Sequence, residues 1–190
     1  ARLLSLSDEN GLWAGGAYFP AGLLDDETNN PHPGQPWTAT AWSLDLLRDF
    51  GVDPNDKRVR EIVSQVRQNC RWEHDGQPFF EGEVEPCING MLVGIGSYFN
   101  QNVDVVVSRL LGEQLEDGGW NCEAEFGSKR SSFHTTIRVL EGLLAHEQAT
   151  GGTPELMNAR QKGEEYLLER KLFRRKSNGA VIDPAWLLFS

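Results

Sequence analysis

The sequence predicts an all-α fold, a two-layered ring of helical hairpins, and three observations carry that expectation. Amphipathic helical runs alternate with runs that are apolar on nearly every side. A turn rich in glycine and aromatic residues stands before each apolar run. The apolar runs begin at a nearly constant interval, about 50 residues from Trp37 to Cys87 and about 47 from Cys87 to His134. A helix that is apolar all round is stable only when neighbours cover every side, so it belongs inside the ring, with the amphipathic helix of each pair outside. An open α-solenoid shares the helix pairs but has no need of an all-apolar member in each.

The elements follow in order. Residues 1–7 read as the last turn of an outer helix, and Asn10-Gly11-Leu12-Trp13 as the turn leading to a first inner helix from Trp37 to Phe50. In residues 56–71, Val59, Ile62, Val63, Val66 and Cys70 recur at helical spacing, with Arg58, Arg60, Glu61 and Arg67 on the other face, which marks an outer helix. Asp75-Gly76-Gln77-Pro78-Phe79-Phe80 is the second turn, and Cys87 to Phe99 the second inner helix. Residues 102–115 repeat the outer pattern with Val103, Val106, Val107, Leu110, Leu111 and Leu115. Asp117-Gly118-Gly119-Trp120 then leads to a third inner helix from His134 to Ala145. Residues 154–172 form the last outer helix, and Pro154 suits its first turn, where a missing N–H leaves no bond unmade. The expectation is one domain over residues 1–190, of about three and a half repeats, that is a fragment of a longer protein or a homodimer whose contact covers its apolar ends.

Composition narrows the function classes. Hydrophobic residues make up 39% of the chain, which is globular rather than disordered. The formal net charge of −10 repels a phosphate backbone and argues against nucleic acid. No run approaches the roughly 18 apolar residues of a membrane span. Three cysteines are too few for a disulfide scaffold, so a reducing cytoplasm is the expected compartment.

Chemistry-bearing residues collect at the heads of two inner helices. Glu83-Val84-Glu85-Pro86-Cys87 opens the second, and Ser131-Ser132-Phe133-His134-Thr135-Thr136 opens the third. Helices stacked in register bring such positions to one rim, where Glu85, Cys87 and His134 make a candidate zinc site with an open fourth position. A helix N-terminus also favours a thiolate at Cys87 through its dipole and free N–H groups. The structural alternative is a cysteine packed as a small hydrophobe and a histidine that caps its own helix. Glu83 and Glu85 are candidate catalytic acids, because crowded carboxylates raise one pKa, or else solvated acids stabilised by the helix dipole. Cys122, after the Gly-Gly-Trp turn, is a further candidate ligand or reactive thiol, or a small residue packed under Trp120. Trp37, Trp42 and Phe133 are candidate substrate contacts, since rings beside inner helices line any central cavity. His32 lies in a proline-flanked linker before the first inner helix.

Gln114-Leu115-Glu116-Asp117-Gly118-Gly119-Trp120 resembles the Gln/Trp turn repeat of squalene and hopene cyclases. The helix order is similar to that of the α/α toroid shared by terpenoid cyclases and protein prenyltransferase β subunits. The resemblance implies an α/α toroid acting on an isoprenoid or other apolar substrate. Glu85-Pro86-Cys87 resembles the prenyltransferase Asp-x-Cys zinc element with Glu for Asp, and Phe133-His134-Thr135 the histidine element that completes that site. Glu83-Val84-Glu85 is similar in position to the acid motif with which cyclases protonate an alkene. The approach to Cys87, Phe80-Glu81-Gly82-Glu83-Val84, is acidic where prenyltransferases place basic residues, which disfavours a diphosphate substrate. A non-catalytic helical-repeat binding module for a protein or lipid partner is the alternative function.

Overall fold

The computed structural model describes residues 2–24 and 36–188, and its regular elements are helical apart from two isolated bridges, Arg71 with Pro78 and Arg174 with Val181. The α-helices are α1 (Ala21–Leu24), α2 (Thr40–Asp49), α3 (Lys57–Asn69), α4 (Pro86–Tyr98), α5 (Asp104–Gly112), α6 (Phe133–Thr150) and α7 (Pro154–Glu169). Short 3-10 turns cover Leu3–Leu6, Pro36–Thr38, Phe79–Glu81, Cys122–Ala124 and Pro184–Leu187. His32 lies outside the described residues.

Local chemistry fixes the helix ends. The Asp56 carboxylate accepts the N–H groups of Arg58 and Val59 at 2.9 and 3.2 Å, which satisfies donors that α3 itself leaves unpaired. Ser132 caps α6 through the Thr135 N–H, and Thr153 caps α7 through the Leu156 N–H, with Pro154 in the first turn. Gly151 ends α6 at φ 88°, a left-handed conformation that costs a residue without Cβ little.

α4 packs on three helices, most extensively on α6 and also on α2 and α5. α7 packs on α6 and α5. The α4 and α6 backbones approach closely where Gly90 meets Gly142, and a side chain on either glycine would run into the opposite backbone. Residues 88–96 of α4 are buried without a break. The other two inner runs are not covered on every side as expected. Leu46 and Phe50 in the α2 run, and Ile137 and Leu144 on α6, are exposed: α4 packs on α2, α5 and α6, whereas the main helix contacts of α6 are with α4 and α7 and that of α2 is with α4. The first inner run also starts late: Trp37 stands in the 3-10 turn before α2. Leu3–Leu6 likewise forms a 3-10 turn rather than the end of an α-helix.

Two of the three turns share one hydrogen-bond pattern. Trp13 Nε1 donates to the Leu3 carbonyl at 2.9 Å and Trp120 Nε1 to the Leu110 carbonyl at 2.7 Å, each partner ten residues earlier. The Trp13 N–H donates to Thr40 Oγ1 and the Trp120 N–H to Thr136 Oγ1, so a threonine at the head of α2 or α6 anchors the turn before it. At the head of α4, Asn89 does this work, accepting the Glu83 N–H at 2.8 Å and donating to the Glu83 carbonyl at 2.7 Å. Gln114 ties its turn to α7 by donating to the Gly118 and Ala159 carbonyls. Among the described residues no helix is long and apolar enough to cross a membrane.

Candidate metal centre

The start of α4 is built around buried Glu83. Its carboxylate accepts the Glu85 N–H at 2.7 Å while Asn89 clamps its backbone. Glu85 is the N-cap residue, Pro86 follows, and Cys87 stands in the first turn with its thiol donating to Glu85 Oε2 at 3.5 Å. Cys122 arrives from a separate element, the 3-10 turn after Trp120. Asn121 holds that turn, accepting the Glu123 N–H at 3.0 Å and donating to the Arg130 carbonyl at 2.6 Å. Cys122 Sγ lies 3.5 Å from Thr135 Oγ1 in the first turn of α6. One ligand atom from each of Glu85, Cys87 and Cys122 falls within 4.8 Å of the other two.

The two thiols are electrostatically unequal. The Cys122 side chain beside it first, then burial and the negative charge of Glu85, raise the Cys87 pKa. The Cys87 side chain lowers the Cys122 pKa, helped by the Thr135 hydroxyl. The first proton lost by the pair therefore leaves Cys122, while Cys87 stays protonated.

Tyr18 borders this cluster. Burial first, then the charges of Cys87 and Glu85, push its phenol up to about 12, so it stays a proton donor at neutral pH. Its loop is fixed by the Glu73 carboxylate, which accepts the N–H groups of Ala17, Tyr18 and Phe19 at 2.8, 2.9 and 3.2 Å. The Tyr18 ring packs on Trp42 at 5.0 Å, and Trp42 Nε1 donates to the Tyr18 carbonyl. Arg138 bears on Tyr18 from α6 and pairs with Asp45 and Glu141.

The expected ligand set is corrected at one residue. His134 is not in the group with Glu85 and Cys87; Cys122 is. The His134 ring stands edge-on to Trp186 at 4.9 Å. With Phe133, Ile137, Leu167, Leu172 and Trp186 it lines a cavity of about 280 Å³. The reason is helical geometry: successive side chains turn by about 100°, so with Thr135 facing Cys122, Phe133 and Ile137 project together toward α7. Of the other candidates, Glu83 is spent on capping, Trp37 is exposed, Trp42 supports Tyr18, and Phe133 lines the cavity beside His134.

The donor set fits zinc. Two thiolates on a tetrahedral zinc stand about 3.8 Å apart, with sulfur about 2.3 Å from the metal, so small side-chain adjustments inside the 4.8 Å envelope suffice. Two sulfurs and one carboxylate oxygen also leave a fourth position open. Tyr18 carried no motif in the sequence, Thr135 stood in one only as the neighbour of His134, and their partners are distant along the chain. Cys122 did carry a signal, its place just after Trp120 in the third turn. No family model, no curated protein and no solved structure matches the chain.

Proposed function

We propose that this protein is a zinc-dependent, squalene cyclase/prenyltransferase-like α/α toroid protein that acts on an isoprenoid or other apolar substrate. The observation that supports it best is the convergence of Glu85, Cys87 and Cys122 within 4.8 Å from two separate elements. Glu85 is exposed and both cysteines are half-buried rather than sealed in the core, so a substrate can approach. Zinc held there supplies Lewis acidity at its open position. Glu83 fixes the backbone that carries Glu85 and Cys87, Thr135 holds the Cys122 sulfur by a polar contact, and the protonated Tyr18 phenol offers a hydrogen bond beside the site. The paired helices and the recurring Trp and Thr anchors support the toroid arrangement.

The direct test is incubation of the reduced, zinc-loaded protein with squalene and with a prenyl diphosphate, followed by product analysis. The expected result is conversion of one of them, lost in Cys122→Ser. Absence of product from both substrates contradicts the assignment.

The second reading, a binding module for a protein or lipid, is favoured by the apolar cavity between α6, α7 and Pro184–Leu187, and by exposed Leu46, Ile137 and Leu144. It expects no turnover, and a fatty-acid probe whose binding weakens in Ile137→Asp.

A further inference from the structure

We infer that Cys87 and Cys122 are a thiol–disulfide modification site, closing to a reversible intramolecular disulfide when a low-molecular-weight disulfide such as oxidised glutathione is the co-reactant. Their sulfurs lie within 4.8 Å of each other. Both residues are half-buried and both are free thiols, so a tripeptide disulfide can reach them. They stand on independent supports, the first turn of α4 and the Cys122–Ala124 turn. A disulfide needs about 2.05 Å between sulfurs. The remaining approach is less than the roughly 3 Å that one χ1 jump moves a sulfur. Cys70, the third cysteine, is sealed in the core with no exposed surface and serves as an internal control.

The chemistry balances in two exchanges. The thiolate of one cysteine attacks a sulfur of oxidised glutathione, forming a mixed disulfide and releasing one glutathione thiolate. The second cysteine thiolate then attacks the protein sulfur of that mixed disulfide and releases the second glutathione thiolate. The protein loses two electrons and two protons. Both protons end on the two glutathiones, which are the reduced products. A disulfide removes both sulfurs from the group with Glu85, so oxidation and metal loading exclude each other; this last consequence rests on the zinc reading above.

The test uses the full chain, stripped of metal with a chelator and equilibrated in glutathione buffers of increasing oxidised fraction. The samples are acid-quenched, alkylated and mapped by peptide mass spectrometry. The expected product is a Cys87–Cys122 cross-linked peptide, with Cys70 alkylated only after unfolding and the cross-link reversed by dithiothreitol. Cys122→Ser is expected to stop at a single glutathione adduct on Cys87. Stable adducts on both cysteines of the wild type, free thiols at every ratio, or a cross-link through Cys70 would each overturn the proposal. Zinc content of the reduced protein, measured separately, keeps the two readings apart. A cross-link without zinc binding overturns only the metal site, and zinc binding without a cross-link overturns only the disulfide.

Discussion

Cys122 and Cys87 meet with their sulfurs within 4.8 Å, one from the turn after Trp120 and the other from the first turn of α4. Each thiol shifts the other, Cys87 upward and Cys122 downward, so the pair has a defined order of ionisation. Alkylation by iodoacetamide across a pH series should modify Cys122 first, with a midpoint below the ordinary 9.0, while Cys87 lags. Replacing Cys87 by Ala should return the Cys122 midpoint toward 9.0. Equal rates at the two thiols in the wild type would refute this order.

Buried Cys70 gives stability an alkaline limit. Burial, the largest cause, and then the Glu73 charge push its thiol up to about 12 from 9.0. Below pH 9 folded and unfolded forms both keep the proton, and this group contributes no pH dependence. Above it the unfolded thiol ionises first, so stability falls between pH 9 and 12 with a slope approaching about 1.4 kcal/mol per pH unit. Denaturant titrations should show that slope flattened in Cys70→Ala. An unchanged slope would place the alkaline loss elsewhere.

The contact between α4 and α6 depends on two glycines. Gly142→Ala sets a methyl against the Gly90 backbone and should destabilise by about 1 to 3 kcal/mol, even though alanine is the better helix former. Gly112→Ala, at the end of α5 with open space around it, should instead gain about 0.5 to 1 kcal/mol. Urea midpoints moving in opposite directions check both at once.

Glu73 holds three successive amides of the loop that carries Tyr18. In Glu73→Ala the Ala17, Tyr18 and Phe19 amides should exchange with deuterium faster, while the amides of α4 keep their protection. Unchanged exchange at these three positions would show that the loop is held by other contacts.

Much of the fold was legible because helical periodicity and turn chemistry are local. The outer run 56–71 became α3, and Pro154 marked the start of α7. What was not legible depends on neighbours. The runs around α2 and α6 read as apolar as the α4 run, yet α4 packs on three helices and keeps residues 88–96 buried while α2 and α6 leave apolar side chains exposed, and periodicity does not record which neighbours are present. At the site, Glu85 and Cys87 could be paired from sequence because they share one turn of one helix. His134 stood at the matching place in the next repeat, but reaching the cluster depends on helix rotation, and that rotation gives the place to Thr135. Cys122 enters from a loop whose path is set by Asn121 and its bonds to Glu123 and Arg130, which no repeat spacing encodes.

The most direct measurement is the metal content of the reduced protein, purified without a metal-affinity tag, for the wild type, Cys122→Ser and His134→Ala. The zinc proposal predicts about one zinc per chain in the wild type and in His134→Ala, and its loss in Cys122→Ser. A wild type without zinc, or zinc lost with His134 and kept without Cys122, would contradict the site.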